Sequence, residues 1–138
     1  MPQGTTTSAP TPHYVLLNGN QRIGPTVDPS KINDRSLVVY GFSDKGPYDQ
    51  FCSNWPTLLT PYPLVQRYLS DQMDSTDYDL RLVVIDATGP DQPHIYAATM
   101  ESTLSALHEI SETIEITHCL SYDSETYAYT ITTIGPIE

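Results

Sequence analysis

Residues 80–87 read Leu80-Arg81-Leu82-Val83-Val84-Ile85-Asp86-Ala87, and the fold turns on this stretch. Side chains of a strand alternate between its two faces, so an apolar run on consecutive positions makes both faces apolar. Such a strand has to lie centrally, covered on both sides. Downstream, Thr88–Gln92 (TGPDQ) turns the chain, and His94–Thr99 (HIYAAT) returns as a hairpin partner. Upstream, Ser36–Phe42 (SLVVYGF) repeats the doubly apolar pattern. Between the two, residues 43–56 read as a long loop with one helical turn. Thr60 caps a helix there, with Pro61 at its first position and Leu64, Val65, Tyr68, Leu69 and Met73 on one face, which predicts a helix over 61–72.

Beyond the hairpin, Ser102 or Thr103 caps a second helix over 102–113. Its stripe is Leu104, Leu107, Ile110 and Ile114, with Glu109 and Glu112 facing outward. Glu115–Tyr122 and Thr126–Ile134 alternate as strands about an Asp123-Ser124-Glu125 turn. At the front, Tyr14–Leu17 meets the tight-turn pair Asn18-Gly19 and forms a small hairpin with Gln21–Ile23. From Ser36 the order is β-α-β-β-α-β plus one strand. That order predicts an α+β fold, an antiparallel or mixed sheet with both helices on one face. It suits a ferredoxin-like split βαβ with an extra N-terminal hairpin and C-terminal strand. Right-handed crossovers make 36–42 and 80–87 parallel, with another strand between them.

The chain has 138 residues, most simply one domain over 14–138 preceded by an extended low-complexity arm over 1–13. Residues 2–12 are rich in Ser, Thr, Pro and Gly and have too little apolar surface to order themselves. The expected site of their contacts is therefore a neighbouring subunit. No apolar run approaches the ~20 residues of a membrane helix, and no signal peptide is visible. Cys52 and Cys119 are too few for a disulfide scaffold, which reads as reduced thiols.

Net charge is −11, unevenly placed. Residues 1–70 carry four acids against five bases, and residues 71–138 carry thirteen acids against Arg81 alone. The acidic half suits a basic protein partner, or a copy of the chain meeting acidic half to neutral half. With six bases in all, direct nucleic-acid binding is not expected.

Candidate chemistry is sparse. His94 and His118, each on a predicted strand, loosely resemble the two-histidine phosphoesterases, but Tyr96 and Leu120 stand where that family has Ser or Thr. The two histidines are therefore expected not to share a pocket. His118 and Cys119 point to opposite faces of a strand and cannot share an ion. Asp71, Asp74, Asp77 and Asp79 lack the spacing of a calcium loop and read as the end of a helix. No phosphate-cradling loop or nucleophile elbow occurs. No catalytic residue, metal site or cofactor is assigned.

Ten tyrosines against two lysines are the odd feature of the composition. Tyr is favoured and Lys depleted where proteins meet. With its Thr/Pro-rich arm, the chain resembles in composition and layout the small structural proteins of viruses and phages. That resemblance implies a non-enzymatic assembly protein, a homo-oligomer located in a virion or the host cytoplasm. Its expected contact residues are Thr5, Thr6, Thr7, Pro10, Pro12 and Tyr14 of the arm, with Tyr122, Tyr127 and Tyr129 on the last strands. An acidic inhibitor or immunity-type module docking on a basic protein is the alternative, and a small hydrolase using His94 and His118 is the third reading.

Overall fold

A computed structural model describes residues 8–18, 21–27, 36–55, 59–74, 78, 80–89 and 92–133. In chain order its elements are β1 (Ser8–Pro10), β2 (Tyr14–Asn18), β3 (Gln21–Arg22), β4 (Ser36–Phe42), α1 (Lys45–Ser53), β5 (Thr60–Pro63) and α2 (Gln66–Asp74). They continue with β6 (Leu80–Ile85), β7 (His94–Thr99), α3 (Met100–His108), β8 (Thr113–Glu115), β9 (His118–Asp123) and β10 (Ala128–Thr133). The fold is α+β with a mixed sheet, ordered β10-β9-β7-β6-β4-β2-β3, with β5 paired to β2. A separate two-stranded sheet joins β1 to β8.

The two doubly apolar strands are parallel, as the crossover rule requires, but no strand lies between them. β4 and β6 pair directly, from Ser36 opposite Leu80 to Gly41 opposite Ile85. This corrects the ferredoxin-like split. The physical reason is coverage: side by side in the middle of the sheet, the two strands share the same protection on both faces. β7 takes the outer edge of β6, and β9 the outer edge of β7, both antiparallel.

Alternation along β4 then sorts the core. Val38, Tyr40 and Phe42 enter a large cluster with Leu82, Val84, Ile95, Leu120 and Tyr129. Val39, on the other face, joins Val15, Leu69 of α2, Val83 and Met100 of α3, with Leu37 packed against it. The two predicted helices do cover one face. The opposite face is closed by α1, a nine-residue helix where one turn in a loop was expected. Asp44 caps it through a 2.7 Å bond from the Lys45 amide, and Phe51 drives into the large cluster, its ring 4.6 Å from that of Tyr40. A strap at Ile23–Val27 joins distant strands around this cluster. The Ile23 carbonyl accepts from the Tyr40 amide of β4 at 3.0 Å, and the Thr26 carbonyl from the Tyr129 amide of β10 at 2.7 Å.

Element boundaries moved for local reasons. Residues 60–63 form an edge strand rather than a first helical turn, because Pro61 and Pro63 each push the preceding residue into extended backbone. α3 starts earlier than expected, at Met100, because Thr99 is the residue that caps it, accepting from the Ser102 amide at 3.0 Å. It also stops at His108. The strand expected over 115–122 divides into β8 and β9, so Thr113–Glu115 leaves the main sheet.

What β8 pairs with is the arm. Ser8, Ala9 and Pro10 lie antiparallel to Glu115, Ile114 and Thr113 of the same chain. Thr11, 1 % exposed, donates from its amide to Glu112 O at 3.0 Å and from its hydroxyl to Ser111 O at 2.7 Å. Pro12 is buried, and a Cβ built on Gly41 would lie 3.1 Å from its own Cβ, so the glycine makes room for it beside β4. Residues 8–13 are thus part of the domain, and the boundary expected at residue 14 does not hold for them. Their ordering energy comes from β8 and from backbone bonds, which composition does not reveal.

Candidate docking surface at the end of the third helix

Of the nine expected interface residues, Thr5, Thr6 and Thr7 lie outside the described residues. Pro10 is exposed on β1, whereas Pro12 is buried. Tyr14 is about half exposed at the start of β2. Tyr129 is corrected outright: it is 1 % exposed, and its hydroxyl donates to Gln92 O at 2.6 Å. Tyr122 packs edge-on against it, ring centroids 5.2 Å apart. Tyr127 does not share the strand face of Tyr129. It precedes β10 in a turn with φ 57°, 75 % exposed. The tyrosine-bearing face is therefore largely core.

The histidines do not meet. His94 stands opposite Ser121 and His118 opposite Ala97 in the β7–β9 register, three residues apart, ~10 Å along the strands. They also face opposite ways: Ala97, paired with His118, belongs to the large core cluster, while His94 shares the outer face with exposed Tyr96. His94 Nδ1 lies 3.3 Å from Ser121 Oγ, and His118 Nδ1 lies 2.8 Å from Thr117 Oγ1. Burial pushes the His118 imidazole below its ordinary pKa of 6.5. Cys52 and Cys119 are free thiols, and burial raises Cys52. α2 ends in the acidic run at Asp74, while Asp77 and Asp79 lie outside the described residues. Among the described residues, no three His, Cys, Asp or Glu side chains are placed to hold one metal ion.

The residue that stands out is one the helical stripe assigned to the core. α3 ends in a Schellman pattern: the Ser111 amide donates to Ala106 O at 2.8 Å and the Ile110 amide to Leu107 O at 3.3 Å. This geometry puts the residue after the cap in the left-handed region, where glycine is the usual occupant. Here it is Ile110, at φ 56° and 87 % exposed. A β-branched side chain at positive φ is strained by about 1–2 kcal/mol, and an isoleucine in water gains nothing from burial. Both terms act against stability at one position. Periodicity misled because it carried the helix a turn too far.

Ile110 sits at the lip of a cleft of about 520 Å³ whose walls include Leu64, Val65, Leu107 and His13. A second cleft of about 260 Å³ adjoins it, sharing Ala106 and Ser111, and is lined by Glu101, Glu109 and Glu115. Among the described residues, neither lining contains Lys or Arg. Arg67 lines the next cleft, between α2 and α3, together with His108 and with Glu109, which that cleft shares with the acidic one. An apolar hollow and an acidic one thus meet at a single ridge. Comparison with protein-family models, with curated proteins and with solved structures finds no match.

Proposed function

We propose that this protein is a non-enzymatic interaction module that binds another protein through the corner where α3 turns into β8. The observation that carries the reading is Ile110, which combines backbone strain with near-complete exposure of an apolar side chain. Strain persists where the rest of the fold over-determines it, and it clusters at functional positions. An exposed apolar residue beside an apolar hollow is the layout of an interface anchor. The separation of His94 and His118 argues against the hydrolase reading.

A structural or assembly role, virion-associated and homo-oligomeric, is the second reading. Exposed Tyr96 on β7 and Tyr127 before β10, neither of them in the lining of the two clefts, favour it. Site-specific photo-crosslinking in the cell that makes the protein separates the two. A crosslinker at position 110 should give a discrete adduct with a second protein. Adducts from position 127 alone, especially with copies of the chain, would favour assembly. Silence at both positions overturns the proposal.

A further inference from the structure

We infer that the occupant of this corner is a basic segment of a partner protein: an apolar side chain in the cleft beside Ile110, flanked by Lys or Arg over the glutamates of the adjoining cleft. The inference rests on the interaction-module reading and adds the chemistry of the partner.

Three features converge on it. The larger cleft is walled mainly by Leu64, Val65, Leu107 and Ile110, so what enters it is apolar. The smaller cleft holds Glu101, Glu109 and Glu115 with no Lys or Arg among the described residues of its lining, Glu109 also reaches the cleft of Arg67, and Glu112 borders the larger one. Three carboxylates spread along one hollow give it a negative potential that favours cationic groups. A metal ion does not fit that role, because these groups are not gathered around one point. Lysine or arginine side chains, spread along a segment, match carboxylates spread along a groove. The same charges exclude a symmetric pairing of two copies through this face, since a two-fold contact would set the glutamates against themselves.

The test uses the full chain and two synthetic 14-residue amphipathic peptides, one of Leu and Lys and one of Leu and Glu, at near-physiological salt. The Leu/Lys peptide should bind and shift backbone amide resonances of residues 64–66 and 105–115. Ile110→Gly should weaken it at least tenfold. The triple variant E101Q/E109Q/E115Q should weaken it tenfold or more and flatten the salt dependence. The Leu/Glu peptide should not bind. Equal binding to wild type and both variants, or shifts confined to another face, overturns the inference. If instead wild type self-associates in sedimentation and Ile110→Gly abolishes that, the partner chemistry is wrong while the module reading stands. If the chain stays monomeric and ignores both peptides, the partner chemistry falls, and crosslinking at position 110 still decides the module reading.

Discussion

Ile110 is the residue at which stability and function pull apart. Replacing it with glycine relieves left-handed strain of about 1–2 kcal/mol, offset in part by the greater freedom of glycine in the unfolded chain. The expected result is a net gain of about 1 kcal/mol, or a rise in Tm of about 3–6 °C, read by calorimetry. A fall in Tm would show that Ile110 packs against its own chain. His118 gives a pH signature. Burial lowers its pKa in the folded state below 6.5. The folded protein therefore binds the proton less readily than the unfolded chain, and stability is fully present above about pH 6.5. It should decline as pH falls through the lower folded value. His118→Gln should flatten the decline between pH 7 and 5.5 in urea titrations, and an unchanged slope would assign it elsewhere. Neither feature shows in residue type: isoleucine in an apolar stripe reads as core, and a strand histidine carries no mark of which face it takes.

At the scale of elements, the arm is the point of revision. Its composition implies a segment that cannot order itself, and deletion of residues 2–12 would then leave the domain unaffected. The structure leads to the opposite expectation. Removing these residues strips β8 of its only sheet partner among the described residues, takes Ala9 from the cluster around Ile114, and exposes the carbonyls of Ser111 and Glu112. With each lost bond worth about 1 kcal/mol, against the backbone entropy released, the truncation should cost ~2–4 kcal/mol. The midpoint of urea unfolding measures it, and an unchanged midpoint would mean that the β1–β8 pairing contributes nothing. Some of the misread elements were legible after all. Two prolines separated by one residue, Pro61 and Pro63, forbid the helical start that Thr60 invites. Asp44 before Lys45-Gly46-Pro47 is a helix start of the kind found at α1.

For the whole molecule, the governing quantity is net charge. At −11 the chain repels itself, and an ion pair such as the exposed Lys45–Asp49 contact at 2.7 Å offsets little of that. An exposed i,i+4 pair adds little stability. Screening should therefore favour the folded state: raising NaCl from about 20 mM to about 500 mM shrinks the Debye length from roughly 20 Å to a few ångström. Tm should rise by several degrees in thermal scans. A Tm that falls with salt would mean that attractive pairs outweigh the repulsion. Glu101, Glu109 and Glu115 should carry a measurable part of this response, so E101Q/E109Q/E115Q should show a smaller rise.

By itself the sequence determined what depends on near neighbours along the chain. Doubly apolar runs at 36–42 and 80–87 made central parallel strands, α2 formed one of the elements between them, the 94–99 hairpin followed, and the charge fell on the second half. These follow from alternation, turn residues and composition, which are local or additive properties. Only tertiary structure decided which strand lies beside which, that the arm closes on its own β8, that Tyr129 is core while Tyr127 is surface, and that Ile110 leaves the helix for solvent. The first three depend on an edge or a cavity formed by residues far apart in sequence, while the cap that turns Ile110 outward closes within residues 106–111 and its exposure depends on what packs beside it. Pairing energy and packing volume belong to both partners at once, and neither partner records them alone.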